Sequence, residues 1–233
     1  MHTGYFLLQL PVIISFLILL FLPLNSAFSQ NSRFIGLPII YNYPPIMYGF
    51  HSQNWGAVQD ARGLIYFANS DGILEYDGVK WRLIRLPNGV TCRALYLAPD
   101  GIVYVAGFNE IGYISYTQTG NAEYTSLKSK MTGKEKDFLD VWSIAWFNGK
   151  VYFSTYVEIF SWDGKLLNTF NSKRSISSLA NANGKLIVAF SDGNPEIFDG
   201  TKLIPFITNN ILSNAERITL CPKSDGGLFL FTK

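Results

Sequence analysis

The chain is poor in groups that do chemistry, and those it has are badly spaced for it. Histidine occurs only at His2 and His51, so a nucleophilic triad or a multi-histidine metal site would have to lean on His51 alone. Two carboxylate pairs, Asp137 with Asp140 and Asp192 with Glu196, have the residue types that flank a glycosidic bond in sugar hydrolysis. Acids acting together would have to come from Glu110, Glu158 and Asp192, converging on one site. Asp77, Asp163 and Asp199 each stand between an aromatic residue and a glycine. Calcium takes roughly six to eight oxygens, so these lone carboxylates are read as turn formers. No G-x-S-x-G, phosphate-binding Gly-Lys-Thr or G-x-G-x-x-G motif is present. Catalytic residues, metal ligands and cofactors are therefore assigned to none of the positions. Cys92 and Cys221 have neither a C-x-x-C spacing nor a nearby histidine, and both lie in apolar runs, which predicts two buried free thiols.

The elements that must position any site come from a repeat. The runs "DARGLIYFA", "APDGIVYVA", "FNGKVYFST", "ANGKLIVAF" and "SDGGLFLFT" place a turn glycine at Gly63, Gly101, Gly149, Gly184 and Gly226, at spacings of 38, 48, 35 and 42 residues. A period near 40 residues with strands inside each copy is the spacing of propeller blades, about four strands to a blade. Each unit reads as an apolar strand ("WGAVQD", "RALYLAP", "VWSIAWF", "ISSLANA"), a glycine turn, a second strand, a polar loop and a third strand. The third strand ends in Tyr76-Asp77-Gly78, Trp162-Asp163-Gly164 or Phe198-Asp199-Gly200, and a fourth follows. Asp-Gly between apolar runs marks a hairpin, because glycine reaches positive φ without steric cost. The second unit lacks the aromatic-Asp-Gly and carries a charged insert from Ser126 to Asp140, read as a solvated loop, a short helix or a partner contact. The predicted fold is all-β: a β-propeller of about four blades and a partial fifth, an incomplete ring that continues beyond Lys233.

Composition narrows the setting. Nineteen basic residues against 17 acidic ones give no polyanion-binding surface, so nucleic acid is excluded as a partner of this segment. Phe6 to Leu24 is apolar and uncharged and leads to small residues around Ala27 and Ser29. That is the pattern of a signal peptide over residues 1–29; a retained anchor is the alternative. Residues 30–50 form a lead-in, and 51–233 hold the propeller repeats. Delivery across a membrane follows from either reading.

In such a fold the loops entering the innermost strands and those joining second to third strands emerge on one face around a central channel. They carry Asn54, Trp55, Asn69, Phe108, Asn109, Glu110, Trp142, Tyr156, Glu158, Asp192 and Asn194. Amides, rings and a few acids suit an unknown small molecule or saccharide, stacked on the rings and hydrogen-bonded at the rim. Packing is the competing role for Trp55 and Trp142.

From residue 35 onward the chain closely resembles the periplasmic sensor region of Bacteroidetes-type two-component regulator propeller proteins with a triple-tyrosine domain. The resemblance rests on Asn54-Trp55, "GLIYFANSDGILEYDG", Trp81-Arg82, "LPNG" at Leu86, "NEIGY" at Asn109, and "DVWSI" and "VYFST" between Asp140 and Thr155. It implies further blades, a β-sandwich, a membrane span beyond this segment and a cytoplasmic output that is a histidine kinase, a helix-turn-helix DNA-binding domain or another signalling domain; a homodimer in the full-length protein is a separate expectation. The motif residues are structural repeats, so the resemblance implies no ligand site. A non-catalytic ligand-sensing module is the expected function. The alternatives are a secreted binding or scaffolding propeller without an output domain, and a polysaccharide-acting propeller enzyme.

Overall fold

The strand runs read from the repeat form in the computed structural model, which describes residues 40–131, 137–207, 212, 215 and 217–232. The signal segment lies outside the described residues. The first blade holds β1 (Asn54–Gln59), β2 (Ile65–Asn69), β3 (Gly72–Tyr76) and β4 (Trp81–Ile84). The second holds β5 (Cys92–Leu97), β6 (Val103–Gly107), β7 (Glu110–Tyr116) and β8 (Ala122–Ser126). The third holds β9 (Ser143–Phe147), β10 (Lys150–Ser154), β11 (Glu158–Trp162) and β12 (Leu167–Asn171). The fourth holds β13 (Ile176–Ala182), β14 (Lys185–Phe190), β15 (Glu196–Phe198) and β16 (Leu203–Pro205); β17 (Ile218–Pro222) and β18 (Leu228–Thr232) form a fifth sheet. Strands pair in chain order within every sheet, all antiparallel. The innermost strands β1, β5, β9, β13 and β17 follow one another around a common axis. This is the β-propeller arrangement, and these strands lie within one compact unit, Tyr43–Lys233.

Four apolar cores sit between successive blades. Tyr66 and Ile73 meet Val105 and Ile114 between the first and second. Ala106 and Ile111 meet Phe153 and Phe160 between the second and third. Ile159 and Tyr152 meet Val188 and Phe198 next, and Ile187 and Ala189 meet Ile218 and Leu220 last. The second, third and fourth blades are apolar on both faces because each is sandwiched between two of these cores, and that is why their strands read as near-continuous apolar runs. The lead-in contributes α1 (Pro45–Tyr48), and Tyr43 and Tyr48 pack with Trp81 at ring-centroid distances of 5.7 and 5.2 Å.

The aspartates before glycine are turn residues. Asp77 Oδ1 accepts from the amides of Val79 and Lys80 at 2.8 and 2.7 Å, and Asp163 Oδ1 does the same for Lys165 and Leu166 at 2.9 and 2.7 Å. Asp199 Oδ1 takes Thr201 and Lys202, and Gly78, Gly164 and Gly200 have φ of 96°, 93° and 103°.

Two expectations are corrected. Cys92 is buried, and burial pushes its thiol far above the ordinary range, but Cys221 is exposed. It lies on the open side of the β17–β18 sheet, beside exposed Phe229 and Phe231. The charged insert is not simply a solvated loop: it holds the expected alternative, a short helix of 3-10 type at Lys128–Lys130, and Leu127, Met131 and Phe138 are buried in the core between the second and third blades. Phe138 packs on Phe160 at 4.8 Å; residues 132–136 of the insert lie outside the described residues.

Candidate functional site at the channel mouth

Meander topology brings the starts of all innermost strands to one face, together with the β2–β3, β6–β7, β10–β11 and β14–β15 loops. At three of those starts a β-bulge interrupts the ladder: between Asn54 and Gly56, Cys92 and Ala94, and Ile176 and Ser178. A bulge takes one residue out of the alternation and re-aims its side chain. The residues so released are Trp55, Arg93 and Ser177, and Trp142 stands just ahead of β9 in the third blade.

Three of these side chains meet. The Arg93 guanidinium lies over the Trp55 ring at 4.4 Å and over the Trp142 ring at 4.9 Å. The two indoles are edge to face, 5.7 Å apart at 74°, and Trp142 contacts Tyr156 at 6.2 Å. Asp140 completes the group, its Oδ1 accepting from Arg93 Nε at 2.8 Å. The insert delivers that carboxylate. Phe108 and Asp140 form an isolated antiparallel bridge, Asn109 N donates to Leu139 O, and Val141 N donates to Gly107 O. The cluster is thus neutral in sum, with its charge pair half-buried at 20% and 19% side-chain exposure. Three rings remain open at the mouth: Trp55 is 38% exposed, Phe108 43% and Tyr156 38%. Beneath lies a channel cavity of about 450 Å³ walled by the innermost strands, with Ser143, Ser178, Asn181 and Thr219 among apolar residues. The buried Trp142 Nε1 has no hydrogen-bond partner among the described residues.

The other sequence-derived candidates lie outside this cluster. Asn69 is fully buried; its amide donates to His51 O, Gln53 O and Asn54 Oδ1, and its Oδ1 accepts from Asp71 N. It ties Asn54 and the entry loop together. Asn109, at φ 53°, accepts from Phe138 N at 3.1 Å and so holds the insert. Glu110 is buried, with Oε2 accepting from Tyr124 at 2.6 Å and Ser126 at 2.8 Å. Burial first, then the Glu110 charge, raises the Tyr124 phenol well above its usual range. Asp192 and Glu196 both pair with Arg174, at 3.5 and 2.5 Å, and that guanidinium lies 3.8 Å over Phe190. Asn194 donates to Ile207 O, and Glu158 opens β11. None of Glu110, Glu158 and Asp192 lines the channel cavity. His51 is a loop residue, its Nδ1 accepting from Gln53 N. No group of three or more metal-ligating side chains occurs among the described residues.

Of the residues singled out from sequence, the structure brings Trp55, Trp142 and Tyr156 together; Arg93, Asp140's place beside it, and Arg174 were not among those candidates. A signal for Arg93 was available: it follows Trp55 by 38 residues, the separation of the turn glycines Gly63 and Gly101.

No protein-family model matches the chain. Over 98 residues, 42% of the chain, it is 30% identical to the immune protein Tsi7 of Pseudomonas aeruginosa, a match spanning 29% of that protein. Among solved structures, the extracellular domain of BT4673 from B. thetaiotaomicron, described as a hybrid two-component system, aligns with a TM-score of 0.56 at 16% identity, covering 77% of this chain and 25% of that one. A streptogramin B lyase aligns at 0.55 and 18% identity over 82% of this chain and 65% of the lyase, and virginiamycin B lyase of Staphylococcus aureus at 0.55 and 15% over 77% and 69%. At these identities the likeness is one of architecture, and the architecture that blade topology and neighbours share is the β-propeller.

Proposed function

We propose that the chain is an extracytoplasmic ligand-sensing module, the input of a membrane-spanning signalling regulator, and that its ligand seats on the aromatic mouth of the channel. The observation that carries the reading is the cluster of Trp55, Arg93, Trp142 and Tyr156 with Asp140. Ring faces offer stacking to the apolar faces of a sugar, and a neutralised guanidinium offers hydrogen bonds without favouring an anion. The class of ligand is therefore a neutral polar molecule, a saccharide foremost. The likeness to the extracellular domain of BT4673 supports the sensor setting, although the chain spans only a quarter of that domain's length. A signal arises if the ligand binds one arrangement of a dimer better than another, since only differential affinity shifts an equilibrium. An enzyme reading has lyases among its structural neighbours, but here Glu110 is engaged by Tyr124 and Ser126, and Asp192 by Arg174.

Calorimetric titration of the chain with a panel of neutral oligosaccharides of defined linkage tests the proposal. Saturable binding by at least one member, weakened about tenfold or more in Trp55→Ala, is the expected result. Binding unchanged by Trp55→Ala would remove the mouth as the site.

A further inference from the structure

The opposite face of the propeller carries a second cavity, of about 240 Å³, between the second and third blades. Its walls follow from the strand registers. In the second blade Tyr104 pairs with Tyr113 across β6 and β7. In the third, Trp146, Val151 and Trp162 lie abreast on β9, β10 and β11. Tyr104, Tyr113, Trp146 and Trp162 line the cavity. Two turn carboxylates flank it. Asp100 accepts from Ile102 N at 2.9 Å and from the Tyr104 hydroxyl at 3.1 Å. Asp163 accepts its two amides on Oδ1, while its Oδ2 has no hydrogen-bond partner among the described residues. Asp163 takes part in no ion pair among the described residues.

The neighbouring interface shows how the same place is filled when the chain supplies its own cation. Arg62 precedes turn glycine Gly63 as Asp100 precedes Gly101, and Tyr66 occupies the strand position of Tyr104. Between the first and second blades, Arg62 donates to the hydroxyls of Tyr66 and Tyr116 and to Asp60, with its guanidinium 4.3 Å over the Tyr116 ring. Between the second and third blades the arginine is replaced by an acid, and a cavity of aromatic rings and two carboxylates is left. Rings and carboxylates together attract cations, the rings through their negative faces.

We propose that this cavity is a binding site for an external guanidinium or alkylammonium group, the basic side chain of a polypeptide partner, seated between Tyr113, Trp146 and Trp162 and paired with Asp100 and Asp163. The site is independent of the channel mouth and lies on the other face.

The test is a titration of the 15N-labelled chain with N-acetyl-argininamide, read from the indole resonances of its five tryptophans, with N-acetyl-citrullinamide as the neutral isostere. Saturable shifts confined to Trp146 and Trp162, about tenfold weaker for the citrulline compound, are expected. Asp163→Asn keeps a turn-forming side chain and is expected to weaken binding by a similar factor. Asp100→Arg reproduces the Arg62 arrangement, fills the cavity from within and is expected to abolish binding with the fold intact. No saturable shift at Trp146 and Trp162, equal shifts with both ligands, or undiminished binding to the Asp100→Arg variant would each overturn the proposal.

Discussion

Arg93 shows how much of a site depends on one residue being out of register. Left in the alternation of β5 its side chain would follow the pleat; released by the bulge, it enters the space between two indoles. Its cation–π contacts and its ion pair are mutually dependent. Arg93→Ala removes the contacts to both rings and leaves Asp140 without its partner. We expect a loss of roughly 1–2 kcal/mol in chemical unfolding, and a loss below a few tenths would show that the cluster is not held together as described. Trp55 and Trp142 were legible in the sequence because large rings at strand starts of a propeller face the channel. Arg93 was not: its meaning comes from Asp140, 47 residues away along the chain, and from an insert whose charges look like a solvated run. The surroundings of the acids were hidden for a related reason. Partners such as Tyr124 for Glu110 and Arg174 for Asp192 are set by cross-strand neighbours and loop crossings that spacing alone does not reveal.

At the level of strands and turns the repeat is nearly transparent. Every Asp-Gly read as a hairpin is one, and the chemistry of those turns makes stability depend on acid. The amides that each of Asp77, Asp163 and Asp199 accepts favour the charged carboxylate, so each folded pKa lies below its ordinary value. A depressed folded pKa contributes stability above the unfolded value, near 4, and that contribution is lost as pH falls through the folded value. The urea midpoint is therefore expected to fall as pH drops below about 4, and the Asp77→Asn, Asp199→Asn double variant is expected to show a shallower decline. An unchanged acid profile in that variant would show that these carboxylates do not contribute. Strands also meet closely where the sequence has glycine. A Cβ on Gly112 would lie 2.2 Å from Thr125 O and 2.6 Å from the Tyr124 ring. Gly112→Ala is accordingly expected to cost ~1–3 kcal/mol by overpacking, as measured by thermal or chemical unfolding. That requirement is invisible in sequence, because the notable feature of Gly112 is its neighbour on β8 rather than its own backbone angle.

For the molecule as a whole, the period near 40 residues determined the architecture, and blade order follows from the short meander connections. The two cavities divide the propeller between its faces: an aromatic, charge-neutral mouth where innermost strands begin, and an acidic, aromatic recess beside the turns opposite. Cys221 was expected to be buried and is exposed because it lies on the face of the β17–β18 sheet that no other described strand covers. The central claim is that the mouth is where a ligand binds. It is tested most directly by the indole 15N resonances of the chain, titrated with the neutral oligosaccharide giving the strongest calorimetric signal. The expected result is that Trp55 and Trp142 shift together and saturate while Trp81, Trp146 and Trp162 stay still. Shifts at those three with Trp55 and Trp142 unmoved would contradict it.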